Sequence, residues 1–532
     1  MTGTGRLIRL ILRRDRVLLP LWVLIIGVLP STYVASFRTL FSTVAERHHY
    51  AETSANSSTM VALYGQVTGD SLGELATWRA GFMPIIVALF SLLTVIRHTR
   101  TEEEAGRREL IGATVVGRHA GLAAALITTC AANLVLALVV AGSTAGQHVP
   151  AGGALALGLE FAIAGWIFAG VGAVVAQLTT GAGAARGIGI VVLGVAFVLR
   201  MTGDLSGASG GSLSWLSWVS PIGLGMRINP FGGNRWWVVA IGAAVTAALW
   251  AGAVALSGQR DVGAGLLPDR LGPATAAAGL GTPLGLAWRL HRGLLVGWSV
   301  GFALLGLVFG SLTNSIQDMV SGNAELEQAF ARLGGTSGLV DAYLASTMGI
   351  LGLIAAGYAI QATLRMRAEE AGGRAEPVLG TAVSRLGWAA SHLLFSLLGP
   401  AVVLAVAGLT AGLSAGAVNH DVSGLVPRVL GGALVQLPAV WVLAAIAVAL
   451  FGFAPRLAPV TWGALTACLL INLVGGVLQL NQRVLDVSPF THIPKLPGAH
   501  WSVVPLVWLL AVAVLLGGAG LAGLRRRDIP VG

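Results

Sequence analysis

Twelve apolar runs of roughly twenty residues each, separated by charged or glycine-rich stretches, leave this 532-residue chain few folds to choose from. About 20 helical residues, rising 1.5 Å each, match the ~30 Å hydrocarbon thickness of a bilayer, and a soluble core has no use for a dozen such lengths. The runs predict membrane-spanning helices over 17–37, 81–98, 120–142, 153–178, 187–203 and 236–256, then 293–313, 346–364, 389–412, 428–452, 457–480 and 501–524. The expected fold class is therefore all-α, a polytopic membrane protein of about 12 crossings. Only 11% of the residues are charged, against about 25% in an average soluble domain.

The net charge of +10 invites a nucleic-acid reading, but its distribution argues against one. With the N-terminus placed inside, the inner loops carry 23 of the 33 basic residues and the outer loops 10. That asymmetry is the positive-inside rule, so the charge reports topology and no nucleic-acid partner is expected. Both termini fall on the cytoplasmic side of a plasma membrane, the last helix held by Arg525, Arg526 and Arg527. The basic start followed by Val17–Ser36 lacks a small-residue cleavage site and reads as a first helix, not a signal peptide. Cys130 and Cys468 lie in apolar spans of different halves and read as small buried hydrophobes.

The chain divides into two halves. Residues 1–256 form a first six-helix half, 257–285 a Gly- and Pro-rich linker too short for a domain, and 286–532 a second six-helix half. Glu103-Glu104-Ala105-Gly106-Arg107-Arg108-Glu109, running on to Thr114 and Arg118, follows the second span. Glu369-Glu370-Ala371-Gly372-Gly373-Arg374-Ala375-Glu376, running on to Thr381 and Arg385, follows the eighth. Aligned on the first Glu of each run the offset is 266, and on the closing Arg it is 267, which predicts one inserted residue. Val219-Ser220-Pro221 recurs as Val487-Ser488-Pro489 after the eleventh span. An even number of crossings per half makes these parallel repeats.

The N-terminal segment places Arg6, Arg9, Arg13 and Arg16 on one helical face and Leu7, Ile8, Ile11 and Leu12 on another, a basic amphipathic helix suited to an anionic membrane surface. Trp288, Arg289 and Arg292 hold the corresponding place before the seventh span. The repeated acidic-then-basic loop is the stronger signal. As a helix it puts Arg108 beside Gly112 and Glu109 beside Ala113, small residues that admit a close-approaching surface. A solvated loop has no need to repeat its charge order, so the loop reads as a docking segment for a partner.

Thr381-Ala382-Val383-Ser384-Arg385, with Glu376 before it, resembles the run Glu-x-x-Gly-Thr-Leu-Glu, two or three apolar residues, then Thr-Pro-Val-Ser-Arg, found after the second helix of ABC-2-type exporter permeases. Glu109, Thr114, Val116 and Arg118 fit the same run, with departures at Val115 and Gly117. The fused twelve-helix layout is similar to the actinobacterial branch of that family, exporters of polyketide antibiotics of tetronasin type. The resemblance implies a coupling helix that docks into an ATPase subunit, two copies of that ATPase, and a hydrophobic or amphipathic drug-like substrate. On that basis Glu103, Glu104, Arg108, Glu109, Thr114 and Arg118, with Glu369, Glu370, Arg374, Glu376, Thr381 and Arg385, are the coupling residues. Lys495, on the outer side, is the chain's one lysine, so the sequence holds no Walker A motif. The resemblance therefore assigns ATP and Mg to the partner and no cofactor to this chain.

No catalytic constellation and no metal cluster emerges. His48 and His49 lie in a solvated outer loop over 38–80, and Glu325, Glu327 and Arg332 lie in another over 314–345. Trp215, Trp218, Pro221 and Pro230 suit short interfacial segments near the outer surface. Within the spans, Glu160 is the clearest ionisable group, near the outer end of the fourth helix. Asn133, Asn472 and Gln479 are candidates for interhelical hydrogen bonds. Phe82, Met83, Phe90 and Met348, with Asn472 and Gln479, are the candidate lining of a substrate path. Against the ATP-driven permease stand a proton-coupled twelve-helix carrier, which needs buried titratable groups, and a lipid-modifying membrane enzyme, which needs converging carboxylates or a metal site.

Overall fold

The computed structural model describes residues 2–267, 272, 274–313, 335–474, 481–497 and 502–528, and among them every regular element is helical. Eleven of these helices are long and apolar enough to cross a membrane, and a shorter apolar helix, Ala458–Asn472, occupies the predicted eleventh place. Internal contacts divide the chain into two units, Met1–Gly272 and Pro273–Gly532.

Unit 1 contains six spanning helices: Leu18–Leu40, Met83–Glu104, Ala120–Ala145, Ala151–Leu178, Ala182–Ala208 and Trp236–Gly258. The fourth is the most enclosed, because glycines remove the side chains that would hold its neighbours away. A Cβ on Gly158 would lie 2.2 Å from the carbonyl oxygen of Ala137, and one on Gly172 would lie 3.0 Å from that of Leu92. Such small-residue contacts give helix association in lipid the dispersion energy that water would otherwise drive. Before the first span, Thr4–Arg14 is helical and lays Leu7, Ile8 and Ile11 on Ala124 and Ala125 of the third span. Arg6, Arg9 and Arg13 stay exposed on its far face, while Arg16 falls beyond its end. Between the first two spans, Val44–Asn56 and Leu72–Arg79 each begin with a capping box, Thr43 with Glu46 and Ser71 with Glu74. The backbone N–H of Thr43, donating to Glu46, holds that carboxyl below its usual range.

The first long helix of unit 2, Pro283–Ser311, runs unbroken through Trp288, Arg289 and Arg292, so these residues form no separate amphipathic helix. Gly335–Ala371 and Arg385–Val418 follow. The fourth crossing is built from two helices, Val422–Leu434 and Leu437–Phe453, broken where Pro438 cannot donate a backbone hydrogen bond. Gly408, Gly412 and Gly416, one per turn, let the Cα atoms of Leu430, Val426 and Val422 approach to within 3 Å of where a Cβ would sit. Thr461–Val474 and Val504–Arg526 complete the unit. Ser220 and Ser488 each stand at the N-cap position of a short helix, Pro221–Met226 and Pro489–His492, so the repeated Val-Ser-Pro motif marks the same turn in both units, although only the Ser220 hydroxyl accepts a capping N–H, that of Gly223.

The helices outrun the apolar runs that predicted them. The eighth crossing continues past 364 to Ala371, because polar ends extend a helix beyond the hydrocarbon without interrupting its backbone ladder. Gln479, Glu325, Glu327 and Arg332 lie outside the described residues.

Candidate docking segments and the clamps that hold them

In unit 1 the second span breaks at Thr99, resumes as Arg100–Glu104, and turns at Gly106, whose φ of 68° is left-handed. A six-residue helix, Arg107–Gly112, follows and leads into the third span. In unit 2 the span runs to Ala371, turns at Gly373 with φ also 68°, and continues into Ala375–Leu379. Thr114 and Thr381 close their short helices identically, each hydroxyl donating to the carbonyl three residues back, Ile111 at 2.6 Å and Val378 at 2.7 Å.

The carboxylates at the start of each segment turn inward. Glu102 accepts from Arg107 at 2.7 Å and from Arg14 at 2.9 Å. Its counterpart Glu369 accepts from Arg374 at 2.8 Å and forms an ion pair with Arg365, also at 2.8 Å. Glu103 is buried and gathers three guanidinium groups, Arg100 at 2.6 Å, Arg108 at 2.8 Å and Arg260 at 2.9 Å. Glu370 receives Arg527 on both oxygens, at 2.7 and 2.5 Å. Burial pushes the Arg108 guanidinium below its ordinary value, with Glu103 opposing the shift, whereas the hydrogen bond to Glu102 raises Arg107.

The basic residue that closes each segment ties it to the unit's last helix. One nitrogen of Arg118 donates to the carbonyls of Ser257, Gly258 and Arg260, at 3.2, 3.1 and 3.0 Å. Arg385 donates to the carbonyl of Arg527 at 2.7 Å. These are carbonyls at a helix C-terminus, where a cation also meets the negative end of the dipole. Arg100 reaches the carbonyl of Thr180, between the fourth and fifth spans, and Arg367 reaches that of Pro455 at the same turn of unit 2.

These contacts correct the register. Glu102 with Glu369, Glu103 with Glu370, Gly106 with Gly373, Arg107 with Arg374, Glu109 with Glu376, Arg118 with Arg385 and Arg260 with Arg527 are all 267 positions apart. No residue is inserted. Glu104 corresponds to Ala371, and its carboxylate caps the fifth span by accepting from the Ala182 N–H at 2.9 Å.

Of the predicted coupling residues, Glu103, Glu104, Arg108, Arg118, Glu369, Glu370, Arg374 and Arg385 make internal bonds, and Glu109, Thr114, Glu376 and Thr381 are exposed. Leu110 and Val115 stand 75% and 89% exposed between them, apolar side chains presented on a charged base. Arg260 and Arg527, 267 positions apart, complete the clamps; the sequence marks Arg527 only as an anchor of the last helix and gives Arg260 no role beyond the inner-loop charge.

The candidate path residues take packing positions. Phe90 stacks on Trp22 at 5.5 Å, Phe82 meets Phe197 edge-on at 6.4 Å, and Met83 packs with Phe90 in the same apolar cluster. Met348 is sealed in the unit 2 core, and Asn472 is exposed. Asn133 donates to the Ser91 hydroxyl at 2.9 Å. At the other end of unit 1, Asp204 pairs with Arg227 at 2.7 Å and Arg200 at 3.6 Å beside a cavity of about 40 Å³. Glu160 lines that cavity, 1% exposed, its Oε2 without a hydrogen-bond partner. His48 pairs with Asp70 at 3.0 Å, and no metal-holding cluster occurs among the described residues.

Residues 280–525 match the family model described as the C-terminal domain of the multidrug efflux system permease Rv1217c. Over 529 residues, covering 99% of this chain and 95% of the relative, the chain is 44% identical to the multidrug efflux system permease protein Rv1217c of Mycobacterium tuberculosis.

Proposed function

The chain belongs to the family of the multidrug efflux system permease Rv1217c, and on that premise we propose that it is the membrane-spanning subunit of an ATP-driven exporter of hydrophobic or amphipathic small molecules. A separate ATPase subunit, bound as two copies, supplies ATP, Mg and hydrolysis. Both termini and both clamped segments face the cytoplasm of a plasma membrane, following the basic-residue bias.

One observation carries this reading. Two exposed segments of the same length, 267 positions apart, are each bolted to their own unit by two corresponding ion pairs, Glu102–Arg107 and Glu103–Arg260 in unit 1 and Glu369–Arg374 and Glu370–Arg527 in unit 2. A segment held this firmly and still presenting Glu109 or Glu376 to solvent can transmit a push into the helices it is tied to. Two such segments in one chain match the two-fold symmetry of an ATPase dimer. Closure of that dimer displaces Arg107–Gly112 and Ala375–Leu379, and Arg118 and Arg385 pass the displacement to the last helix of each unit.

The double substitution Glu109→Arg with Glu376→Arg tests it. Stoichiometric ATPase copurifies with the native chain, is lost from the double variant, and efflux stops while the thermal transition of the permease persists. Normal efflux from that variant overturns the reading. Glu160 favours a second reading, a proton-coupled carrier, since a buried carboxyl without a partner is a candidate proton site. That reading requires efflux to follow an imposed pH gradient without ATP.

A further inference from the structure

Under the unit 1 segment lies a cavity of about 330 Å³, the size of a small-ligand site. Its walls are the inner side of the N-terminal helix (Leu7, Leu10, Ile11), the underside of the segment (Ile111, Val116) and Val262. Arg14, Arg108 and Arg118 line it against one lining carboxylate, Glu102, while Arg108 also pairs with Glu103 and Arg118 also donates to the carbonyls that end the sixth span. The lining is thus greasy with a surplus of positive charge.

The constant spacing of the two halves shows why the space exists. Gly112, Gly117 and Gly121 line the cavity, and the residues 267 positions later are Leu379, Ser384 and Trp388. In unit 2 Trp388 is 3% exposed and packs with Met366, Phe451 and Leu524, while Val378, Leu379 and Val383 rest on that cluster. Unit 2 fills the space under its segment with its own side chains. Unit 1 replaces the largest of them with glycine, and a Cβ on Gly121 would meet only the Arg108 guanidinium, at 3.8 Å.

We propose that this cavity holds an acidic phospholipid, its phosphate between Arg14, Arg108 and Arg118 and an acyl chain along Leu7, Leu10, Ile11 and Val116. Lipid is favoured over a soluble anion by the apolar walls and by position. The helix that forms one wall ends four residues before the first span begins at Leu18, which sets the cavity at headgroup depth. The far face of that helix carries Arg6, Arg9 and Arg13, exposed and suited to the same anionic surface. A bound lipid would form the floor of the unit 1 segment as Trp388 forms that of unit 2. The proposal requires a membrane-spanning chain and stands apart from ATPase docking.

The test is lipid retention by the full-length chain in nanodiscs of phosphatidylcholine with or without phosphatidylglycerol, counted by native mass spectrometry. The native chain is expected to retain phosphatidylglycerol over phosphatidylcholine by roughly tenfold or more, given two net positive charges at the site. Gly121→Trp, which installs the unit 2 residue, is expected to abolish that preference, and Arg14→Gln to weaken it. Should Gly121→Trp lose its thermal transition, Gly112→Leu reads the same question, since its added Cβ meets nothing within 4 Å. Equal retention of the two lipids by the native chain overturns the proposal, as does unchanged preference in a folded filling variant. Displacement of the lipid by millimolar inorganic phosphate overturns it in favour of a free-anion site.

Discussion

The two repeated segments share their clamp and differ in their floor. Each is bent by a glycine at φ 68°, braced by an acidic residue on the arginine five positions on, and tied to an arginine beyond the last helix of its unit. Under the second lies a packed cluster around Trp388, and under the first lies a cavity bounded by Gly112 and Gly121. Directional ion pairs fix where a segment goes, whereas apolar packing fixes how stiffly it stays there. Two segments on such different floors can occupy the same place in each repeat and yet yield unequally to the same push.

The largest expected effect probes the clamp itself. Glu103→Gln leaves Arg100, Arg108 and Arg260 without the carboxylate they share, and breaking a buried ion pair typically costs about 3–5 kcal/mol. Glu370→Gln frees one arginine that already reaches solvent, and should cost about 1–3 kcal/mol. Thermal unfolding of each variant measures the difference, and equal losses would break the view that unit 1 leans harder on its ion pairs.

Trp388→Gly gives the unit 2 segment the floor of unit 1. Losing a buried indole should cost about 3 kcal/mol, toward the low end for such truncations because the first turn of Arg385–Val418 can shift into part of the space. Hydrogen exchange of the Ala375–Leu379 amides should then rise toward that of Arg107–Gly112. Exchange that stays slow would show that the clamp, not the floor, sets stiffness. A step smaller, Arg118→Gln removes a charged donor to three carbonyls and Arg385→Gln a donor to one. The expected losses are about 2 and about 1 kcal/mol, read from fraying of the Trp236–Gly258 and Val504–Arg526 C-termini.

The crossings were legible because hydrocarbon thickness imposes a length on apolar sequence, and so were the ends of each segment, where acidic residues give way to a closing arginine. The register was not. Three consecutive glutamates in one half and two in the other admit two alignments, and counting from Glu103 sets it against Glu369, yet the arginines they bind pair Glu102 with Glu369. Arg260 and Arg527 were invisible as clamp residues because a basic residue after a spanning helix is what topology alone requires. Glu109 and Glu376 are exposed, as a docking segment requires, but Glu103 and Glu370 serve the interior. Burial is a three-dimensional property that charge order does not encode. The cavity escaped because its cause is a substitution, Gly121 for Trp388, that means nothing until the halves are in register.

The smallest expected effect is the sharpest check on that register. Gly106 and Gly373 turn the chain at the same φ, and a Cβ added at either meets no atom within 4 Å. Steric crowding is thereby removed from the comparison, and only the left-handed backbone remains, which disfavours a non-glycine residue by about 1 kcal/mol. Gly106→Ala and Gly373→Ala should therefore lower stability by about the same ~1 kcal/mol, whatever lies beneath each segment. Equal shifts in thermal unfolding would identify one turn used twice. A shift at Gly373 well beyond that at Gly106 would mean that the packed floor of unit 2 resists the adjustment that the open floor of unit 1 allows. The floors would then have to be counted as part of the turn.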